Sequence, residues 1–340
     1  MGRDKAIQVG VIGAGRIGAL HVRHLATRIP GATVAAIADI NVEAAQATAA
    51  QWRIPTISAD YSELLAHPDI DAVAICSSTD THAQIIQEAA AAGKHIFCEK
   101  PIDFDLDKID RALAAVAAAG VKLQIGFNRR FDANFRQVYD LVRAGRIGTP
   151  HILRITSRDP APPPLPYLKV SGGIFLDMTI HDFDMARYLM GSEAEEIFAA
   201  GGVMVDPKIG DVGDIDTALI TLRFANGAIG AIDNSRQAVY GYDQRVEVFG
   251  SAGMVTVANN TPDTHVYSNV DGVHTAKPLY FFLERYSDSF VAEMSAFVES
   301  IRQDTTPLVT GQDGRIPVVM ALAAQKSYQE NRPVHLSEIE

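Results

Sequence analysis

The stretch IQVGVIGAGRIG, Ile7 to Gly18, decides how the chain is read. Its first half is an unbroken apolar run of strand length with no alternation, the pattern of a strand buried on both faces of a parallel sheet. Its second half, GAGRIG, places glycines at 13, 15 and 18 just before a helix-length segment, 16 to 28. A strand that ends in a glycine-rich turn and opens a helix has a specific use. Gly13 permits the tight turn, Gly15 lets a bound group approach the backbone, and Gly18 lets helix and strand pack closely. The unpaired N–H groups and positive dipole end of that helix favour a phosphate there.

The next strand, TVAAIAD (33 to 39), ends in Asp39, 21 residues past Gly18. A carboxylate at that point is placed to accept hydrogen bonds from an adenosine ribose and repels an additional ribose phosphate. Ile40 and Asn41 bring no positive charge to offset it, so the pattern selects NAD over NADP. Taken singly, GAGRIG can be a tight turn and Asp39 an N-cap for NVEAAQ; the dinucleotide site explains both together. Further apolar runs follow at 72 to 77, 95 to 99 and 122 to 127, separated by Ala-rich helical segments at 41 to 51, 80 to 92 and 105 to 119, with another at 131 to 144. Strands alternating with helices predict a doubly wound α/β domain, in which ligands bind beyond the carboxyl ends of the strands.

After Gly148 the rhythm changes. Runs rich in β-branched and aromatic residues at 151 to 158, 216 to 224, 228 to 236 and 244 to 250 are separated in two places by turn signals, Asn226-Gly227 and Ser251-Ala252-Gly253. Hairpins and an open, mostly antiparallel sheet are expected, an α+β second half. Two helices close the chain, 286 to 303 and 313 to 330. The first carries Phe290, Met294, Phe297 and Ile301 at helical spacing; both helices can pack on either domain, and the C-terminal helix can pack back on the first domain. With 340 residues, two domains are expected, divided at 125/126. The segment PAPPPLP, 160 to 166, reads as a stiff loop, a cleft wall or a contact to a second subunit.

Composition narrows the function. A net charge of −11 with no basic stripe argues against nucleic acid. Only two cysteines occur, Cys76 and Cys98, both in apolar runs, so no disulfide framework is expected. The N-terminal residues do not resemble a secretory signal, and no apolar run reaches the roughly 20 residues needed to span a bilayer. The expectation is a cytoplasmic protein acting on a small molecule.

Two places carry chemistry. Lys100, in CEKP, emerges at the end of the strand HIFCE, where its ammonium can hydrogen-bond a hydroxyl or a developing oxyanion; a turn lysine before proline is the plainer alternative. FLDMTIHDFDMARYL, 175 to 189, reads as a helix with Asp177, His181 and Asp184 on one stripe and Asp182 elsewhere. His181 has the pKa range of a general base, with Asp177 placed to orient it and bind a substrate hydroxyl. Lys100 can serve as base only if burial depresses its pKa by several units, and the sequence leaves that choice open. A metal site would need a third ligand; His151 lacks the spacing, and no metal is expected.

Together GAGRIG, Asp39, CEKP, GFNRR (126 to 130) and GGIFLDMTIHDFDMARYLMG (172 to 191) resemble the Gfo/Idh/MocA family of NAD(P)-dependent oxidoreductases, across nearly the whole chain and most closely its inositol 2-dehydrogenases. The resemblance implies a Rossmann domain, a second sheet whose face mediates tetramers, a Lys-Pro peptide that is often cis, and catalysis by Lys100, Asp177 and His181. It implies a cofactor set of Gly13, Gly15, Arg16, Ile17, Asp39, Ser77, Thr79, His82, Glu99, Lys100 and Arg129. Asn128 and Tyr242 join the catalytic three around the substrate, with Tyr240 and Tyr286 as alternatives to Tyr242 and Arg130 as a structural residue. The implied reaction is oxidation of a cyclic polyol, myo-inositol to its 2-keto product, with scyllo-inositol, D-chiro-inositol or a sugar pyranose as alternatives. A non-catalytic NAD-binding redox sensor is the rival from another class.

Overall fold

A computed structural model describes residues 5–339. The chain divides into two compact units, one formed by residues up to Phe131 together with Asp288–Ile316, the other by Asp132–Ser287 together with residues from Pro317 on. This division differs from the 125/126 boundary in being discontinuous.

The first unit is built on a six-stranded parallel sheet in the order β3-β2-β1-β4-β5-β6. Its strands are β1 (Ile7–Ile12), β2 (Ala32–Ala38), β3 (Thr56–Ser58), β4 (Ala72–Ile75), β5 (His95–Glu99) and β6 (Leu123–Gly126). The strand order reverses between β1 and β4, beside the glycine-rich turn, and this switch point is where a doubly wound sheet binds its ligand. β3 is too short and too exposed to stand out in the sequence. The helix Ser287–Gln303 belongs here: Met294, Phe297, Val298 and Ile301 pack in one core with Val9, Val11, Ile37 and Phe97. That settles which unit receives its apolar stripe. Phe297 is fully buried, and its truncation to alanine would cost about 3–5 kcal/mol.

The second unit holds a seven-stranded sheet, β12-β11-β7-β10-β9-β8-β15, from β7 (Pro150–Arg158), β8 (Ala194–Gly202), β9 (Thr217–Phe224), β10 (Ile229–Ser235), β11 (Asp243–Gly250), β12 (Gly253–Val257) and β15 (Val334–His335). A small hairpin, β13 (Val266–Asn269) and β14 (Gly272–Thr275), stands apart from it. Only β7 and β10 pair in parallel, so the sheet is mostly antiparallel as expected. Both turn signals work as read: Asn226-Gly227 joins β9 to β10, and Ser251-Ala252 joins β11 to β12. Alternation sorts the two faces. Ala218, Ile220, Leu222 and Phe224 of β9 are buried, while Leu219, Thr221 and Arg223 face outward. The helices Ala133–Arg143 and Ile180–Met190 pack together through Tyr139 and Tyr188, whose rings stack 4.1 Å apart at 3°.

Among the described residues no helix is long and apolar enough to cross a membrane, and both cysteines are free.

Candidate active site

In the first unit the glycine-rich turn has the required shape. Gly13 has φ +99°, and a Cβ there would lie 2.6 Å from the carbonyl of Cys76. A Cβ on Gly18 would fall 1.9 Å from the Gly13 oxygen, so any side chain would force helix and strand apart. At Gly15 the reverse holds: no atom lies within 4 Å of where a Cβ would be, and no side chain caps the helix Arg16–Thr27 that follows. The open cradle over uncapped N–H groups fits a pyrophosphate. Arg16 is exposed and Ile17 half-buried at its rim.

Asp39 does more than the sequence suggested. Its Oδ2 accepts from Ala14 N at 2.6 Å and its Oδ1 from Asn41 N at 2.7 Å, which ties the glycine turn to the end of β2. It is not the N-cap of the following helix; Asn41 is, accepting from Ala44 N. Each Asp39 oxygen keeps a second lone pair for a ribose hydroxyl. Ile40 beside it is 95% exposed, an apolar surface suited to a purine face.

The loop after β4 brings Ser77, Thr79 and His82 together. Ser77 Oγ lies 2.7 Å from Thr81 Oγ1, Thr79 opens the helix Thr79–Ala91, and His82 is buried. Both imidazole nitrogens of His82 meet backbone carbonyls, Nδ1 at 2.8 Å from Pro101 O and Nε2 at 3.1 Å from Ser77 O. His82 therefore clamps the β4 loop to the peptide that carries Lys100, rather than presenting a ring nitrogen to a ligand. Lys100 itself is half-buried at the carboxyl end of β5, and the Lys100-Pro101 bond is cis. Past β6, Asn128, Arg129 and Arg130 form one buried turn, and Arg130 Nη2 donates to Asp313 Oδ1 at 2.9 Å, the structural role considered for it.

Glu99 faces inward, accepting from His21 Nε2 at 2.7 Å. One ligand-type atom each from His21, Glu99 and Glu293 lie within 4.8 Å of one another. Glu293 is fully buried, and neither of its oxygens has a hydrogen-bond partner among the described residues. Burial first, and then the Glu99 carboxylate, push its pKa well above the ordinary glutamate value.

In the second unit the helix 175 to 189 is not regular. Phe175–Thr179 is a π-turn and only Ile180–Met190 is α-helical. Wider turns of this kind recur at functional sites. Asp177 lies in the π-turn and is partly exposed, as is His181 four residues on, whereas Asp184 is fully buried. The expected three-residue stripe thus keeps only Asp177 and His181; Asp184, in the same α-helix as His181, is turned to the buried side. Asp182, also fully buried, accepts from Asn234 Nδ2 at 2.9 Å, and Thr179 Oγ1 donates to the same asparagine at 2.6 Å.

Two residues that the sequence reading passed over hold Asp177. Arg236, at the end of β10 and fully buried, donates through Nη1 to Asp177 Oδ2 at 3.1 Å and through Nη2 to Asp214 Oδ2 at 3.1 Å. Burial alone would lower the Arg236 pKa, but the two carboxylates outweigh it and raise it. On the other side Tyr167 Oη donates to Asp177 Oδ1 at 2.7 Å from the short helix Leu165–Leu168, directly after the proline-rich loop. The proline-rich segment 160–166, expected as a cleft wall or a contact to a second subunit, thus leads directly into Tyr167. Tyr242 is buried against Tyr286, ring centroids 6.0 Å apart and edge-on, while Tyr240 donates to Asp243 Oδ2 at 2.6 Å within a cluster with Arg158. His151 lies edge-on to Phe249, with no acidic group of a metal-type cluster around it among the described residues.

The chain matches the NAD-binding Rossmann model of the oxidoreductase family over residues 7–127 and the Gfo/Idh/MocA C-terminal domain model over residues 135–256. The chain belongs to the Gfo/Idh/MocA oxidoreductase family. It is 49% identical to the myo-inositol 2-dehydrogenase of Thermotoga maritima, with 98% of this chain and 99% of that one aligned. It is 43% identical to the inositol 2-dehydrogenase of Rhizobium meliloti over 97% and 99% of the two chains. A crystal structure of scyllo-inositol dehydrogenase from Lactobacillus casei with bound NAD(H) and scyllo-inositol superposes with a TM-score of 0.92 at 31% identity, covering 98% of this chain and 100% of that one. As a Gfo/Idh/MocA protein the chain is an NAD-dependent oxidoreductase, and the cradle at Gly15 with Asp39 behind it is the part of the structure that fits that cofactor.

Proposed function

We propose that this chain oxidises a secondary hydroxyl of a cyclic polyol, with myo-inositol as the leading substrate and its 2-keto derivative as product. The observation that carries the reading is Asp177: a partly exposed carboxylate fixed by a buried arginine, four residues before a partly exposed histidine. In a chain this similar to named inositol dehydrogenases, such a pair is suited to bind a hydroxyl and remove its proton.

Each residue has a role. The turn from Gly13 through Ile17 and the helix end hold the pyrophosphate, Asp39 the adenosine ribose, and Ser77, Thr79 and Arg129 the nicotinamide half; His82 and Glu99 support that half from behind. NAD, when bound, would supply the hydride acceptor for the carbinol carbon. His181 takes the hydroxyl proton as general base, and Asp177 accepts a substrate hydroxyl and orients the ring. Lys100 donates to the reacting oxygen as carbonyl character develops, and Asn128 and Tyr242 shape the remainder of the substrate site.

The test is NADH formation across a panel of inositols and hexoses. Turnover is expected on inositols, fastest on myo-inositol, with His181→Ala lowering kcat by about 10²–10⁴. NAD binding with silence on every polyol and sugar would replace this reading with the redox sensor. Undiminished turnover by His181→Ala would pass the role of base to Lys100.

The proposed assembly is a homotetramer through the open face of the second sheet. There Leu219, Ile229, Phe249 and Met254 are exposed among the ion pairs Arg154–Glu247 and Arg223–Glu196, more apolar surface than a solvated face needs. Sedimentation at four times the chain mass would support it, and a monomer at every concentration would remove it.

A further inference from the structure

The phenol of Tyr167 sits where specificity can be decided. Its hydroxyl donates to Asp177 Oδ1 at 2.7 Å, while the other carboxylate oxygen is held by Arg236 at 3.1 Å, so the plane of the carboxylate is fixed from both ends. Arg236 is fully buried and itself anchored on Asp214, whose Oδ1 accepts from Ile174 N at 2.9 Å and Ile215 N at 2.8 Å. Asp177 cannot turn without breaking that chain. Tyr167, by contrast, is 47% exposed and stands on a four-residue helix begun by the stiff proline run.

Hydrogen-bond direction then does the sorting. A tyrosine hydroxyl has one proton, and here it goes to Asp177; toward any further group the phenolic oxygen acts as an acceptor. The Asp177 carboxylate is an acceptor too. Two acceptor oxygens 2.7 Å apart match the separation of neighbouring hydroxyl oxygens on a saturated ring, both of which can present protons. A monohydroxylated ring offers only one.

We propose that Tyr167 is a specificity-determining residue which, with Asp177, reads two vicinal hydroxyls of the substrate as a matched pair of donors. This rests on the polyol reading above. It gives the proline-rich segment a task, which is to hold the phenol at a set distance from the carboxylate. It also ties the cyclic-polyol reading to one feature of the site, a pair of acceptors that a ring with a single hydroxyl leaves half unsatisfied. A site built to bond a hydroxyl discriminates strongly against the analogue that lacks it, because its acceptor is left without a partner.

The experiment compares wild type and Tyr167→Phe on myo-inositol and on a set of its monodeoxy analogues, reading kcat, KM and NAD affinity separately. Wild-type turnover of the parent polyol comes first, and its absence would refute the polyol reading without involving Tyr167. Given turnover, Tyr167→Phe is expected to lower kcat/KM on the parent about 10-fold or more with NAD affinity unchanged. On one particular deoxy analogue, the one lacking the hydroxyl that Tyr167 reads, the penalty should vanish, since wild type has already lost that bond. An equal penalty on every analogue would show that Tyr167 merely supports Asp177, and unchanged kcat/KM on the parent would show that it does neither; both overturn the proposal.

Discussion

Two buried ionisable side chains, one in each unit, are accommodated in opposite ways. Arg236 in the second unit is fully buried and meets a carboxylate at each end of its guanidinium. Glu293 in the first is equally buried, has Glu99 for a neighbour and no donor on either oxygen among the described residues. Counter-charges built around the first group favour its charged form; burial beside another carboxylate favours the neutral form of the second. The contrast separates a charge kept for use from one suppressed for packing. Arg236 ends on Asp177, at the surface where chemistry is proposed, whereas the Glu293 carboxyl ends beside Glu99 with no hydrogen-bond partner among the described residues.

The largest expected effect comes from breaking the matched set. Arg236→Ala leaves Asp177 and Asp214 facing one another around a cavity, and urea unfolding should show a loss of about 3–5 kcal/mol. A change of under about 1 kcal/mol would mean that Arg236 contributes no net pairing energy.

Glu293→Gln sharpens the other half of the comparison. Because the folded carboxyl has its pKa raised, the native state binds its proton more tightly than the unfolded chain does. Its stabilising contribution is complete below the ordinary glutamate pKa and is lost as pH rises from there toward the folded value. The slope is at most about 1.4 kcal/mol per pH unit. Glutamine does not titrate, so the variant should gain on wild type as pH rises, most visibly in urea midpoints at about pH 5 and about pH 8. A difference between the two proteins that stays constant with pH would mean that Glu293 is ionised in the native state.

The smallest effect is expected where the same kinds of charge meet in solvent. The Arg28–Asp288 pair is 2.9 Å apart with side chains 45% and 90% exposed. Asp288→Ala should change stability by less than about 1 kcal/mol, with added salt removing most of that; a larger loss would make this pair unlike other exposed ones.

Much of the first unit was legible because its signals are local. A doubly buried strand has no choice but to be continuously apolar, and Gly13 and Gly18 are required by contacts within a few residues of the turn or with the neighbouring strand. The α+β second half was legible through its turns. Short elements were not: β3 has three residues and no distinctive pattern. The helix Ser287–Gln303 showed its apolar stripe, but a stripe does not say which sheet receives it. Lys100, Asp177 and His181 stood out as polar residues in apolar surroundings or beside a proline, and the family resemblance drew them together. Arg236 did not, because an arginine at a strand end looks like a surface residue until the fold brings Asp177 and Asp214 to it from 59 and 22 positions away. Glu293 was missed for a related reason, since one glutamate in an amphipathic helix is assigned to the wet face by default.

The turn Phe175–Thr179 has one more consequence. It accommodates a wider repeat than the helix it feeds, so the segment counts its residues in two registers that meet at Ile180. The aspartate and the histidine four positions later stand on opposite sides of that seam. Their spacing is therefore that of a joint, where the backbone changes pitch between the two residues while both keep partial exposure.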